Sequence, residues 1–515
     1  MLKFKTLNKE IFLLCIFSTL FFIVCAFFFN DHGFNIDNKK NFLEGEVNLN
    51  YLISKKCDMD TVKSQFHGAF SFMLADLSKR LLNDRLGLLD PITSRLIVLP
   101  FLSSLFILPF YFFVKKYFNT LIAIVSVVSL LTFPEFFGFL FNDLKDIPLF
   151  IFFSLSMFCF IEWINKHSSK YLYLFFVFFA LSSSIKLYSI ILILILLIWM
   201  FFLPRESSNK VKELLYQYKE EILLGSIVFL LIFVAFYMPS FWGIEDKPVF
   251  IEKFINEFKY VTKKTTSNNW NYLSFMHIFY KTPIPLLLFS IVGFFQLLKR
   301  KKELLILLLI LWLLIPPAIP CFPGVFRYLN GLRMFLIFLL PFSILVGVGL
   351  QFIVNKSKEN RNLLTAFLFV FILYGNISAI ALTYPYENLY FNELVGGLHG
   401  AQKKGLPDTH DYWLISFKEA SKWLNKNAKE NSTVTYVYGL PKPNELYTVY
   451  ELYSLRNDIT AGHAASLYKV RDIHNSYVVS VSHNRDKEAS KLFNFIDVYQ
   501  IIRQNGVIAT IYYKV

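Results

Sequence analysis

Charged side chains stand beside long apolar stretches at several points of this sequence, and a charge next to hydrocarbon is costly enough to require a reason. Asp31 and His32 directly follow the apolar stretch 11–29. A carboxylate in this position is partly desolvated, which raises its basicity, so Asp31 could take a proton from a hydroxyl group. The alternative is that both residues simply mark a helix end that meets water.

A second group of charges opens the apolar stretch 147–164, in the order Asn-Asp-Leu-Lys-Asp-Ile-Pro. Pro148 suits the first turn of a helix, and Asp146 would lie at the helix N-terminus, where the helix dipole favours an acid. Asp146 could therefore be an ordinary helix cap. However, two acids, Asp143 and Asp146, on either side of Lys145 are more than a cap requires.

Further cations stand at the ends of apolar stretches. Lys186 separates two short stretches, and it could bind a phosphate or merely mark a break between two spans. Arg333 begins the stretch 333–354, shortly after Arg327. A guanidinium forms bidentate hydrogen bonds with phosphate, so this segment suits a lipid-linked phosphate, although it could also anchor to lipid headgroups.

The elements that must position these residues are membrane spans. Of the 515 residues, 55% are hydrophobic and 17% are charged, whereas soluble domains have about 25% charged residues. We predict a mainly α-helical, polytopic membrane bundle of about eleven spans, because lipid offers an open backbone no hydrogen-bonding partner. The apolar stretches are residues 11–29, 92–114, 119–133, 147–164, 171–184, 187–203, 222–241, 283–298, 304–320, 333–354 and 363–383.

Lys and Arg cluster in every second loop between these stretches, which is the positive-inside pattern of membrane proteins. The formal net charge of +15 therefore does not indicate a nucleic-acid partner. The pattern predicts a cytoplasmic N-terminus and an outer C-terminus. Two outer loops carry amphipathic patterns, at 66–81 and 250–258, and each could lie on the outer leaflet or pack on the bundle.

Beyond residue 383 the long apolar stretches end. We predict a membrane domain over residues 1–383 and a small extracytoplasmic α/β domain over residues 384–515. Its predicted elements are strands at 433–439 and 476–482, helices at 413–427 and 487–494, and a hairpin at 498–515 with a tight turn at Asn505-Gly506.

Taken in order, five segments resemble those of the bacterial GT-C glycosyltransferases, lipid-carrier-dependent enzymes related to the protein O-mannosyltransferases and to the aminoarabinose transferase of lipid A. The resemblance covers most of residues 11–423. The segments are Asp31 after the first apolar stretch, FFGFLFNDLKDIP, SSSIKLYS, YLNGLRMFLIFLLP, and YPYENLYFNELVGGLHGA followed by DYW.

The resemblance implies an inverting transfer of a sugar from a polyprenyl-phosphate donor to an extracytoplasmic acceptor. The acceptor would be a glycolipid, a protein or a cell-envelope polymer. The resemblance also implies that the protein lies in the bacterial inner (plasma) membrane. It implies that Asp31 is the general base and Asp146 the second catalytic acid, although many relatives have Asp-Glu where this chain has Asp31-His32. The substrate-binding candidates are Lys145, Arg333, Lys186, Asp143, His32 and His277.

No metal or other cofactor is expected. Two carboxylates could hold a divalent cation, as in oligosaccharyltransferase-like relatives, but the phosphate-donor branch generally uses none. A transporter or flippase for a lipid-linked sugar is the alternative function, since it would share the topology and the phosphate-binding cations. Such proteins often have two inverted halves, and the sequence shows no such internal symmetry. A receptor or scaffold would leave Asp31 and Asp146 without a role.

Overall fold

Helices make up most of the chain, and one small sheet lies near its C-terminus. The computed structural model describes residues 2–54, 67–237, 269–323, 330–357, 359–438, 449–470, 475–481 and 490–514, together with residues 239 and 255. The longer helices are Leu2–Phe28, Asn38–Ser54, Val98–Tyr117, Thr120–Leu131, Asp146–Lys166, Ser169–Ser183, Ile191–Phe202, Arg205–Gln217, Lys219–Phe236, Ile284–Leu298, Leu304–Ala318, Leu339–Lys356 and Arg361–Thr383. The shorter ones are Phe70–Lys79, Pro91–Leu96, Pro134–Phe139, Leu273–Lys281, Gly397–Lys403 and Phe417–Asn427.

The apolar stretches of the sequence fall on helices. Among the described helical segments, six are long and apolar enough to cross a membrane, and four shorter helical segments are also apolar. Large apolar side chains such as Phe27, Phe201 and Leu363 are exposed on the outside of the bundle, as expected where lipid replaces water. The predicted helical membrane bundle with a small C-terminal sheet is confirmed, while the number of about eleven spans stays a prediction.

Small residues bring two helices of the bundle into close contact. A Cβ atom on Gly293 would lie 2.0 Å from the backbone oxygen of Leu345, and one on Gly349 would lie 2.0 Å from that of Phe289. Helices Ile284–Leu298 and Leu339–Lys356 therefore touch backbone to backbone, the kind of packing that small residues permit in membranes. This contact fixes the helix that follows Arg333.

The amphipathic pattern at 66–81 forms the helix Phe70–Lys79, which packs against helix Asn38–Ser54. Phe70 and Met73 are buried, with Phe70 packed against Phe152 and Phe236 of the bundle, and Leu77 is exposed. This helix thus packs on the protein with one face. The second predicted amphipathic stretch, 250–258, falls outside the described residues apart from residue 255.

The described residues of the C-terminal region form a sheet of five strands: β1 Thr433–Val437, β2 Thr460–Ala464, β3 Ser476–Ser480, β4 Phe495–Arg503 and β5 Gly506–Lys514. Their order in the sheet is β2-β1-β3-β5-β4. Strand β1 is parallel to β2 and β3, and β5 is antiparallel to β3 and β4. Gln504 and Asn505 connect β4 to β5 with positive φ angles of 47° and 58°, as a two-residue hairpin requires.

The predicted strands and hairpin are thus confirmed, with the turn at Gln504-Asn505, one residue earlier than predicted. The helix predicted at 413–427 is found at Phe417–Asn427. Most of the helix predicted at 487–494 falls outside the described residues. Strand β2 was not predicted, because Thr-Ala-Gly-His-Ala is short and lacks alternating large apolar residues.

Candidate active site

The candidate site lies where helix Asp146–Lys166 begins. The Oδ1 atom of Asp143 accepts hydrogen bonds from the backbone N–H groups of Lys145 at 3.0 Å and Asp146 at 3.1 Å. Asp143 therefore takes the capping role that the sequence suggested for Asp146. Burial, reinforced by the charge of Asp146, raises the pKa of Asp143.

The carboxylate of Asp146 lies between two cations. Its Oδ1 atom is 2.5 Å from Nζ of Lys186, and its Oδ2 atom accepts a hydrogen bond from Nε of Arg333 at 2.7 Å. Asp146 and Lys186 are buried, and the Arg333 side chain is 11% exposed. Lys186 stands in the bend between two apolar helices, so it both marks the break and reaches the site. The structure thus joins three residues that the sequence identified separately.

Asp37 completes this group, although the sequence analysis did not identify it. Its carboxylate contacts Nζ of Lys145, and Nη2 of Arg333 lies 3.9 Å from its Oδ2 atom. Burial alone would raise the pKa of Asp37, but the charges of Lys145 and Arg333 outweigh burial and lower it to about 2. Asp37 is therefore an ionised carboxylate at neutral pH.

Three cations, Lys145, Lys186 and Arg333, face the two paired acids Asp37 and Asp146, and Asp143 lies beside them. Because the pKa of Asp143 is raised, the group has a net positive charge whenever Asp143 is protonated. Positive charge in a region shielded from water attracts an anion strongly, because the local dielectric constant is low. The group can therefore hold an additional anionic ligand.

A weak signal in the sequence could have found the first-loop acids of this site. Asp37, Lys40 and Glu44 follow one another at spacings of three and four, which place them on one face of helix Asn38–Ser54 and its N-terminus. Glu44 is buried, and its Oε1 atom lies 3.6 Å from Nζ of Lys40. Burial raises the pKa of Glu44 to about 7, against the opposing charges of Lys40 and Lys145.

Asp31 and His32 have other contacts. The carboxylate of Asp31 is exposed and accepts a hydrogen bond from the hydroxyl group of Tyr384. The buried ring of His32 lies 3.0 Å from the backbone oxygen of Phe28 through Nδ1 and 3.1 Å from Oε2 of Glu387 through Nε2. These two residues therefore tie the end of the first helix to the segment that follows the last apolar helix.

A second buried group lies around the turn that precedes Arg333. The Nζ atom of Lys281 is 2.7 Å from Oε1 of Glu135, and both side chains are fully buried. His277, in the same helix as Lys281, has its Nε2 atom 3.7 Å from Oδ2 of Asp408. His277 is thus buried beside this turn. Arg327, six residues before Arg333, falls outside the described residues.

Residues beyond 383 form one wall of the site. The guanidinium of Arg333 lies over the ring of Trp413, with 4.8 Å between its central carbon and the ring centroid. Trp413 in turn stacks on Phe139, with 5.1 Å between ring centroids. Cation–π contact of this kind holds a guanidinium in place without neutralising its charge.

The described part of the chain is a bundle of apolar helices with charged residues at one end of several helices, followed by a small C-terminal sheet. Residues 72–238 match the family described as dolichyl-phosphate-mannose-protein mannosyltransferase. No curated protein sequence matches the chain.

Two crystal structures of ArnT from Cupriavidus metallidurans resemble the whole chain. One, bound to undecaprenyl phosphate, is 11% identical with a TM-score of 0.50. The other, in the apo state, is 12% identical with a TM-score of 0.51. Each alignment covers 98% of this chain and 98% of the ArnT chain. The family match and the shared fold confirm the resemblance to the GT-C superfamily. Together with the apolar helices, they support a multi-pass membrane protein.

Proposed function

We propose that this protein is an inverting glycosyltransferase, which moves a hexose or pentose from a polyprenyl-phosphate donor to an acceptor hydroxyl group on the outer side of the membrane. The observation that carries the proposal is the group of cations fixed by acids, above all Asp146 between Lys186 and Arg333. The family match, whose description names a dolichyl-phosphate-linked sugar, agrees with it.

The cations suit the phosphate end of such a donor. When the bond between the sugar C1 and the phosphate oxygen breaks, the electron pair stays on the phosphate, which gains negative charge. Arg333, Lys145 and Lys186 are already oriented by carboxylates, so they can stabilise this charge without rearranging. Asp146 is then a positioning residue for two of them.

The acceptor hydroxyl needs a base. Asp37 is the carboxylate that stands beside the cations, and its lowered pKa keeps it ionised. We assign it as the base that takes the acceptor proton while the acceptor oxygen bonds to C1 on the face opposite the phosphate. Asp31, the base expected from the resemblance, is the alternative, and its exposed position on the outer end of the first helix would suit an acceptor arriving from outside.

A site at the membrane surface suits a polyprenyl-phosphate donor. A polyprenyl chain stays in hydrocarbon while its phosphate lies at the surface, and Asp146, Lys186 and Arg333 stand at the ends of apolar helices. One of the similar ArnT structures was solved with undecaprenyl phosphate. These points support a site that faces the outer side of the bacterial inner membrane, as the basic clusters of the sequence predict.

The test is donor turnover by the purified full-length protein. Vesicles that contain it and a radiolabelled polyprenyl-phosphate sugar are mixed with an envelope extract as the source of acceptor. We expect free polyprenyl phosphate and labelled acceptor to form in equal amounts. A donor that changes leaflet and remains intact would identify a flippase and refute the transferase.

A further inference from the structure

We infer that Glu135 and Asp408 are positioning residues for Arg333, which they control through the backbone turn that precedes it. The inference rests on the phosphate-binding role proposed above for Arg333. The turn has left-handed backbone angles at Asn330, with φ of 42°, and at Gly331, with φ of 73°. A 3₁₀ helix, Arg333–Phe338, begins immediately after it.

The two carboxylates accept hydrogen bonds from consecutive N–H groups of this turn. The Oδ2 atom of Asp408 accepts from Gly331 at 2.9 Å, and the Oε2 atom of Glu135 accepts from Leu332 at 2.9 Å. Bonds from a backbone N–H to a carboxylate are about twice as strong as neutral ones. Since both amides immediately precede Arg333, these bonds set the direction in which its side chain leaves the backbone.

Glu135 is itself held rigidly. Its other oxygen pairs with Nζ of Lys281, and Lys281 also donates to the backbone oxygen of Asn388 at 2.8 Å. The ammonium group further lies 4.6 Å from the ring centroid of Phe391. A carboxylate whose two oxygens have different partners cannot rotate freely. Glu135 therefore connects helix Pro134–Phe139 to the turn in a fixed geometry.

The fit between carboxylate and turn is close. A Cβ atom added to Gly331 would lie 2.6 Å from Oε1 of Glu135 and 3.1 Å from the hydroxyl oxygen of Tyr412. Glycine is needed here both for this space and for its positive φ. The turn is therefore held in one position between Glu135 and Asp408, and this position determines where the backbone of Arg333 lies.

The experiment compares two double variants that both remove the buried ion pair. Glu135→Gln with Lys281→Met keeps an oxygen that can accept from Leu332, whereas Glu135→Ala with Lys281→Met does not. Neither leaves Lys281 buried without its anion. The readout is equilibrium binding of undecaprenyl phosphate to the purified full-length protein, with melting temperature measured in parallel.

We expect the Ala/Met protein to bind undecaprenyl phosphate about tenfold more weakly than wild type, and the Gln/Met protein to bind within about threefold of it. When Arg333→Ala is added to both, their affinities should become equal, because the turn then has no guanidinium to position. A general loss of packing would instead weaken binding by the same factor with or without Arg333.

Equal affinities of the two double variants, with Arg333 present, would overturn the inference. If either protein does not fold, Asp408→Ala against Asp408→Asn gives the same comparison at a carboxylate that is 15% exposed. The control is Glu162→Gln, which removes the partner of Lys116 and Lys166. Glu162 is roughly 24 Å from Asp146 along one helix, at about 1.5 Å per residue, and its loss should leave binding unchanged.

Failure of this inference and failure of the proposed function are distinguishable. If Arg333→Ala alone leaves undecaprenyl phosphate binding unchanged, the phosphate site proposed above is wrong. If Arg333→Ala weakens binding and the two double variants still bind equally, the phosphate site stands and the positioning role is refuted.

Discussion

The carboxylate of Asp146 bridges Lys186 and Arg333, which are 40 and 187 residues away along the chain. Each carboxylate oxygen of Asp146 pairs with one of the two cations. The backbone N–H at the start of its helix donates to Asp143, so the side chain of Asp146 is not used as a helix cap. A single carboxylate thus joins three segments of the bundle and fixes two positive charges at one point.

Removing that bridge should damage both stability and function. Asp146→Ala leaves Lys186 and Arg333 facing each other in a buried region, a loss of about 3 kcal/mol or more in the free energy of unfolding. We expect a lower melting temperature in detergent and loss of donor binding. Added undecaprenyl phosphate should raise the melting temperature of wild type, but not that of Asp146→Ala.

Arg333→Lys tests the geometry of the guanidinium apart from its charge. Lysine keeps the positive charge and loses the planar fork and the stacking on Trp413, so donor affinity should fall about tenfold. Binding isotherms with undecaprenyl phosphate give the measurement. An affinity equal to that of wild type would show that charge alone suffices.

The assignment of the base is settled by two matched variants. Asp37→Asn should lose about 10²-fold to 10⁴-fold in kcat, the usual contribution of a general base, while it keeps the shape of the side chain. Asp31→Asn should retain most of its turnover, since its carboxylate contacts Tyr384 and not the cations. The reverse pattern in expression-matched proteins would return the role to Asp31.

Glu44 should make the stability of the protein depend on pH. Burial raises its pKa from the ordinary 4.5 to about 7, so its contribution to stability is complete below about pH 4.5 and is lost as the pH rises through 7. Glu44→Gln has no such loss. Relative to wild type, it should therefore gain up to about 3 kcal/mol between pH 5 and pH 8. Thermal unfolding of both proteins across this range measures the difference.

The orientation predicted from the basic clusters is tested by labelling single cysteines in a cysteine-free background. A cysteine at position 430 should react with an impermeant reagent in intact cells, and one at position 300 should react after lysis alone. Labelling of position 300 in intact cells, with none at 430, would invert the topology and move the proposed site to the cytoplasm.

Hydropathy and the cost of charge near hydrocarbon were enough to predict the helical bundle and to identify Asp146, Lys145, Lys186 and Arg333. Asp37 was not identified from the sequence because it lies in a polar segment, where an acidic residue is common. Glu135 and Lys281 are 146 residues apart in sequence, and nothing in either local pattern shows that they meet. The sequence thus identifies charged residues that lie unusually close to apolar stretches, and the fold determines which of them form ion pairs.

Trp413 and Asp408 lie beyond the last long apolar helix, yet one stacks on Arg333 and the other holds the turn before it. Their position has a consequence for engineering. A chimera that exchanges the residues beyond 383 would replace Trp413 and the hydrogen-bond acceptor Asp408 in the proposed donor site. Grafts meant to alter acceptor choice should instead join the two parents after residue 416, so that the recipient keeps its own Trp413 and Asp408.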